Sequence, residues 1–115
     1  MTNHKIIGNI GEEIAQNYLQ RQGCKIIQRN YYSRFGEIDI IAEKDNILLF
    51  VEVKYRKNER FALATESITS QKQHNMRLTI ETYLQKYPTN QPLRIDLITI
   101  IGQSPYQITW LENIF

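Results

Sequence analysis

The spacing of apolar residues divides the chain into seven predicted elements. Apolar side chains recur every three or four residues from Gly8 to Gly23 and from Ser70 to the residue before Pro88, the periodicity of an amphipathic helix. The other apolar stretches are short, rich in β-branched and aromatic residues and bounded by turn formers, which is typical of strands. These predicted strands cover residues 25–32, 35–43, 46–55, 94–101 and 106–111. The order αβββαββ predicts one α/β domain over residues 1–115, with a mixed sheet flanked by helices.

The predicted strand over residues 46–55 changes character half-way along. Its first part, Ile47–Val51, is apolar on both faces, which indicates a central strand covered on both sides. Glu52 and Lys54 follow with one apolar residue between them. Because side chains alternate along a strand, these two charges are predicted to project from the same face.

Asp39, on the preceding predicted strand, can join these charges. A short turn centred on Lys44-Asp45 pairs Asp39 with Phe50 and makes it a diagonal neighbour of Glu52. Two carboxylates and the nearby lysine are thus predicted to converge at one end of a hairpin.

Such convergence has a chemical consequence. Carboxylates that meet in a buried place repel each other and lose hydration unless a cation lies between them. Oxygen ligands with open positions favour Mg²⁺ or Mn²⁺ over zinc, and such an ion can hold a phosphate and lower the pKa of an attacking water. Lys54 would stabilise charge on the phosphorus or orient the water. The alternative is an ordinary ion pair between Glu52 and Lys54 on a solvated face.

The overall charge adds little, but its distribution adds more. Fourteen Lys and Arg against twelve Asp and Glu give a net charge of +2, too small to identify a polyanionic partner. The stretch from Lys54 to Arg77 is locally basic, with only Glu59 and Glu66 opposing the positive charges. We predict phosphate binding by Arg34, Arg56, Lys57, Arg60, Lys72 and Arg77, with further contacts from Tyr31 and Tyr32. A solvated surface is the alternative.

The cysteine content and hydropathy indicate where the protein works. Cys24 is the one cysteine and cannot form an internal disulfide, which favours a reducing, cytoplasmic location. The N-terminal residues lack the apolar stretch of a signal peptide, and the longest apolar run, residues 47–51, is too short to cross a bilayer. We therefore expect no membrane association.

Spaced motifs of this chain resemble those of the YraN family of small bacterial proteins. They are Gly8-x-x-Gly11-Glu12-x-x-Ala15, Gly36-Glu37-Ile38-Asp39-Ile40-Ile41-Ala42 and Phe50-Val51-Glu52-Val53-Lys54-x-Arg56, followed by Lys72 and Arg94-x-Asp96. Asp39 followed by Glu52-Val53-Lys54 also resembles the PD-(D/E)XK, or restriction-endonuclease-like, nucleases. One departure is Ile38, which stands where the superfamily motif has proline.

The resemblance implies a restriction-endonuclease-like three-layer core and a kinship with archaeal Holliday-junction resolvases. It implies a Mg²⁺- or Mn²⁺-dependent nuclease that hydrolyses DNA, with branched or single-stranded DNA as candidate substrates. Asp39, Glu52 and the carbonyl of Val53 would be the metal ligands, Lys54 the catalytic cation and Glu12 a fourth catalytic residue. Cutting two strands would call for a symmetric homodimer.

Several of these assignments have simpler explanations. Glu12 lies at the border of the apolar face of its helix, where a negative charge near a helix N-terminus is favourable without any catalytic role. Lys72 lies on the inner edge of the second helix, where a lysine stem often covers apolar surface. The whole chain could also be a non-catalytic nucleic-acid-binding or protein-interaction module on a nuclease-like scaffold.

Overall fold

Seven elements follow one another in the computed structural model of the chain, which describes residues 4–57 and 68–114. They are α1 (His4–Arg21), β1 (Lys25–Ser33), β2 (Gly36–Lys44), β3 (Ile47–Arg56), α2 (Ser70–Lys86), β4 (Leu93–Ile101) and β5 (Gln107–Leu111). This is the predicted order αβββαββ, and the α/β class is confirmed.

The five strands form one mixed sheet in the order β1-β2-β3-β4-β5. β3 pairs in parallel with β4, and the other neighbours are antiparallel. The parallel pair requires a crossover, which the connection containing α2 provides. β3 therefore occupies the centre of the sheet, as its doubly apolar sequence predicts.

The two helices cover opposite faces of this sheet. Ala15 and Leu19 of α1 pack into one apolar cluster, whose other fully buried members are Ile40, Ala42, Leu49, Val51, Ile98 and Ile100. Met76 and Ile80 of α2 pack into a second cluster with Tyr83, Ile38, Ile41, Leu48 and Phe50. The result is a three-layer arrangement of helix, sheet and helix, compatible with the expected core.

The turn between β2 and β3 differs from the prediction by one residue. Its two central residues are Asp45 and Asn46, with φ of 53° and 64°, and the flanking Lys44 pairs with Ile47. A two-residue hairpin turn with both φ values positive favours Asp and Asn, which tolerate that conformation better than lysine does. The predicted turn at Lys44-Asp45 is therefore wrong, and the strand register shifts by two residues.

The N-cap of α2 also differs by one residue from Ser70, which the capping-box pattern Ser70-x-x-Gln73 predicts as the cap. Thr69 is the N-cap, and its side chain accepts a hydrogen bond of 3.1 Å from the backbone N–H of Lys72. Ser70 is already helical. Both residue types cap helices well, so the sequence pattern alone does not separate them. Within the described ranges, no helix is long and apolar enough to span a bilayer.

Candidate metal centre

The centre is built where β1 and β2 depart from regular geometry. Asn30, which lies across from Asp39 in the β1–β2 register, has a positive φ of 54°. In β2, Ile40 packs on the α1 side of the sheet whereas Ile38, two residues away, packs on the α2 side. Regular alternation would place both on one face. The side-chain direction therefore switches at Asp39.

The carboxylate of Asp39 makes contacts that a regular strand residue would not make. Its Oδ2 accepts a hydrogen bond of 2.8 Å from the backbone N–H of Val53 in β3. One of its oxygens also lies within 4.8 Å of a carboxylate oxygen from each of Glu12 and Glu37. We call Glu12, Glu37 and Asp39 the acidic cluster. Glu12 and Asp39 are both 8% exposed, so two of its three members are buried.

Glu12 enters the cluster from α1 and is held against β1. The nearest guanidinium nitrogen of Arg29 lies 3.6 Å from Glu12 Oε2. Arg29 also donates hydrogen bonds of 2.7 Å to Glu13 and 3.1 Å to Gln16, which fastens β1 to α1. Burial, and then the charge of Glu37, raise the pKa of Glu12 in spite of Arg29.

The electrostatic strain is greatest at Asp39. Burial, followed by the negative charge of Glu52 and the proximity of Glu37, raises the pKa of the Asp39 carboxyl from 3.8 to about 9. The hydrogen bond from the Val53 N–H opposes this rise and lowers the pKa. Asp39 thus lies in buried surroundings that oppose its ionisation.

Glu52 belongs to an adjoining group with two lysines. Its Oε1 lies 3.2 Å from Lys54 Nζ and 3.0 Å from Lys72 Nζ, and its side chain is only 4% exposed. The ion pair between Glu52 and Lys54 therefore exists, but it lies in a covered position and not on a solvated face. Lys72 reaches it from the first turn of α2.

With this geometry in view, comparison with known proteins identifies the family. The sequence model of a family described as "Uncharacterised protein family UPF0102" matches residues 11–100. The chain belongs to UPF0102. This is the YraN family, so the family predicted from the spaced motifs is confirmed. The matched range contains every member of the acidic cluster and of the adjoining Glu52 group.

Relatives match the chain almost end to end. A UPF0102 protein of Pseudoalteromonas translucida is 47% identical over 109 residues, which cover 94% of this chain and 89% of the relative. One from Neisseria gonorrhoeae is 44% identical over 113 residues, covering 97% and 96%. One from Vibrio parahaemolyticus is 41% identical over 109 residues, covering 93% and 89%.

In this UPF0102 chain the predicted catalytic residues fall into two neighbouring groups. Asp39 and Glu12 lie together in the acidic cluster, whereas Glu52 and Lys54 lie together beside it. The influence of Glu52 on the pKa of Asp39 links the two groups electrostatically. Val53 contributes its N–H to Asp39, and the role of its carbonyl as a ligand stays a prediction. The β2–β3 register pairs Ile40 with Val51. The next pair in the same register is Asp39 with Glu52, so these two residues lie directly across from each other and not diagonally, as the sequence predicted.

The predicted phosphate-binding residues are spread more widely. Lys72 contacts the Glu52 group, and Arg34 lies in the β1–β2 turn with its guanidinium carbon 4.7 Å from the centre of the Phe35 ring. Arg56 ends β3 and donates a hydrogen bond to the backbone carbonyl of Tyr55.

Two further basic residues, Lys57 and Arg77, are less closely tied to the centre. Lys57 is exposed just after β3. Arg77 lines an open groove with Phe50 and Leu84. Arg60 lies outside the described residues.

The sequence reasoning missed three residues that shape the centre. Glu37 lies two residues before Asp39, and that spacing in a strand is the signal that could have identified it. Asn30 and Arg29 in β1 both lower the pKa of Glu12 and so favour its charged form. The one sequence signal for Asn30 was that asparagine tolerates a positive φ. Contacts between β1 and α1 have no signature in local spacing.

The donor set fits a divalent cation. Among the residues that the structure describes, the buried side-chain oxygens without a hydrogen-bond partner are Oε2 of Glu12 and Oε2 of Glu52. A buried carboxylate oxygen without a hydrogen-bond partner costs free energy of folding. Carboxylates without sulfur or imidazole suit hard cations such as Mg²⁺ or Mn²⁺. Glu12, Glu37 and Asp39 are therefore the residues that could hold such an ion.

Proposed function

We propose that the chain is a Mg²⁺- or Mn²⁺-dependent phosphodiesterase that acts on DNA. The observation that carries this proposal is the buried acidic cluster, with its unpartnered oxygen and with lysines beside it. The names of the UPF0102 relatives state a family and no activity, so the support comes from the chemistry of the site. A buried carboxyl group with a strongly raised pKa, such as that of Asp39, is typical of functional sites.

In this proposal, different residues of the centre have different roles in hydrolysis. A bound divalent cation supplies charge for a phosphate group and lowers the pKa of water. Glu12, Glu37 and Asp39 would hold it, and Glu52 is the further ligand that the motif implies. The Val53 N–H fixes one oxygen of Asp39, which keeps that carboxylate oriented before any substrate arrives.

Lys54 is assigned the role of stabilising the transition state. Its side chain is partly exposed and its ammonium nitrogen lies 3.2 Å from Glu52 Oε1, at the border between the buried carboxylates and solvent. A positive charge at this border can stabilise the negative charge that develops on the phosphoryl oxygens. Lys72, on the same Glu52 oxygen, holds a second positive charge nearby.

The proposal also includes a cellular location and an oligomeric state. Cys24 is buried and unpaired, which fits the reducing cytoplasm. Cutting both strands of a duplex requires two such centres, which a symmetric homodimer would supply.

A panel of labelled DNA tests the proposal. Branched, nicked, single-stranded and duplex substrates are incubated with Mn²⁺ or Mg²⁺ and the wild type, Lys54→Ala, or Lys86→Ala as a matched control at an exposed position in the last turn of α2. We expect metal-dependent cleavage that Lys54→Ala reduces on the order of 100-fold or more, because the variant lacks transition-state charge. Binding should change little in Lys54→Ala, and Lys86→Ala should still cleave.

Two outcomes would contradict this account. An equal loss of binding and cleavage in Lys54→Ala would make Lys54 a phosphate anchor. Absence of cleavage by the wild type on every substrate, with either ion, would favour the non-catalytic module.

A further inference from the structure

The end of the β1–β2 hairpin carries an aromatic ring next to the acidic cluster. Tyr32 pairs directly across from Glu37 in the antiparallel ladder. Residues paired in this way have Cα atoms roughly 4.5–5.5 Å apart. Glu37 is a member of the acidic cluster, so Tyr32 is one strand away from a proposed cation ligand.

Tyr32 is exposed, unlike the tyrosine before it. Tyr31 makes an edge-to-face contact with Tyr83, with ring centres 5.3 Å apart, and packs against the α2-side core. Tyr32 is 67% exposed, more than any other large apolar side chain among the described residues. Its ring therefore contributes little to the core and presents its apolar surface to solvent.

The turn between β1 and β2 also carries a positive charge, that of Arg34, in a defined conformation. Arg34 is exposed, and its guanidinium carbon lies 4.7 Å from the centre of the Phe35 ring. Ser33 Oγ accepts a hydrogen bond of 3.0 Å from the Phe35 N–H and lies 2.8 Å from Thr79 Oγ1 of α2. These contacts tie the turn to the second helix and limit the ordering needed when a ligand binds.

We propose that Tyr32 and Arg34 form a stacking platform for an unpaired nucleobase, beside the phosphate that a cation bound at the acidic cluster would hold. The proposal rests on the proposed function and names its substrate class: DNA with unpaired bases, in single strands or at branch points. An aromatic side chain stacks on any exposed base face, while a neighbouring arginine meets the backbone phosphates. In a continuous duplex the base faces are covered by their neighbours, so a base must first be unstacked.

Binding measurements without cleavage test the platform. The dissociation constants of a single strand and of a duplex of equal length are measured by fluorescence anisotropy, with Ca²⁺ replacing Mg²⁺ or Mn²⁺. Tyr32→Ala should weaken binding of the single strand on the order of 10-fold and that of the duplex less than about twofold. Tyr32→Phe should bind like the wild type, because stacking requires the ring and not the hydroxyl.

A control variant and a stacking signal separate this role from a structural one. Tyr87 is 43% exposed at the end of α2, and Tyr87→Ala should leave single-strand binding unchanged. A 2-aminopurine base in the single strand should be quenched by wild type and Tyr32→Phe, and less by Tyr32→Ala. Melting temperatures of all variants are measured alongside.

The results distinguish this inference from the nuclease proposal. An unchanged ratio of single-strand to duplex affinity in Tyr32→Ala, an equal loss in Tyr32→Phe, or no binding of either DNA would overturn the platform, even if cleavage is found. Tyr32-dependent binding of single strands by a protein that cleaves nothing would support the platform and reject the nuclease.

Discussion

Asp39 combines a fixed position with an unfavourable charge. The N–H of Val53 holds one of its oxygens, while burial and the charges of Glu52, Glu37 and Glu12 oppose its ionisation. A carboxyl group of this kind stays protonated near neutral pH until a cation offsets the surrounding negative charge. At the scale of single residues, the site is thus arranged to bind a cation by exchanging it for a proton.

The raised pKa of Asp39 predicts how stability depends on pH. The folded-state pKa of about 9 lies above the ordinary value of 3.8. The protonated form therefore favours the folded state fully below the lower value, and this advantage is lost as pH rises toward the higher one. Without metal, the free energy of unfolding of the wild type should fall as pH rises from about 5 to about 8, with a contribution of up to about 1.4 kcal/mol per pH unit.

Urea denaturation at a series of pH values, in the presence of a chelator, measures this dependence. Asp39→Asn should show a shallower decline, because the variant lacks the carboxyl group whose large pKa shift produces the pH dependence. A decline of equal slope in both proteins, or a wild type that gains stability over this range, would show that Asp39 is not the group responsible.

At the scale of elements, β5 is fastened to the sheet by a buried carboxylate. Asp96 in β4 is fully buried and accepts three hydrogen bonds from Arg94: from Nε at 2.9 Å to Oδ1 and 3.2 Å to Oδ2, and from a terminal nitrogen at 3.0 Å to Oδ2. It also accepts hydrogen bonds from Trp110 Nε1 in β5, at 2.8 Å, and from the Asn113 N–H, at 2.9 Å. The Arg94-x-Asp96 motif therefore has a structural explanation, separate from the acidic cluster.

Removal of this carboxylate should lower the free energy of unfolding without altering the chemistry of the centre. Asp96→Ala leaves the Arg94 guanidinium and two further donors without their acceptor, which should cost about 3 kcal/mol or more. Glu112→Ala is the matched control, because Glu112 is an exposed partner 3.5 Å from Arg94 and should contribute less than about 1 kcal/mol. Chemical denaturation measures both. Similar stabilities of the two variants would contradict the anchoring role.

Sequence patterns predicted the elements well because each depends on neighbouring residues. The apolar face of Ala15 and Leu19 and the doubly apolar start of β3 identify α1 and the central strand. The turn was misplaced because Asp45 and Asn46 compete with Lys44-Asp45, and only the positive φ values in the structure distinguish them. Local propensity thus determines which elements form, while their exact register depends on the backbone conformation of one or two residues.

At the scale of the whole molecule, the centre is assembled from distant parts of the chain. Glu12 comes from α1 and Glu37 from the start of β2, and their approach depends on how α1 packs against β1 through Arg29. Spacing along the chain predicted that Asp39 would lie near the Glu52 strand, because a hairpin brings the two together. It did not predict Glu37 in the cluster: the two-residue spacing from Asp39 is a local signal, but the meeting of both carboxylates with Glu12 depends on how α1 packs on the sheet.

Thermal melts of the wild type and Asp39→Asn, each with a chelator and with Mn²⁺, test most directly whether the acidic cluster is a cation site. Asp45→Asn, at an exposed turn position, controls for the loss of one negative charge. With chelator near neutral pH, Asp39→Asn should melt higher than the wild type, because the wild type must take up a proton at Asp39 to fold whereas the amide is already neutral. This difference should amount to about 1 kcal/mol or more, and the amide oxygen can still accept the hydrogen bond from the Val53 N–H.

Mn²⁺ should raise the melting temperature of the wild type and of Asp45→Asn, since the ion binds only the folded carboxylates, and should leave Asp39→Asn almost unchanged. A structural ion-pair site behaves in the opposite way, because neutralising Asp39 there would remove an attraction. A metal-free Asp39→Asn that melts below the wild type, with no shift by Mn²⁺ in any of the three proteins, would contradict the account.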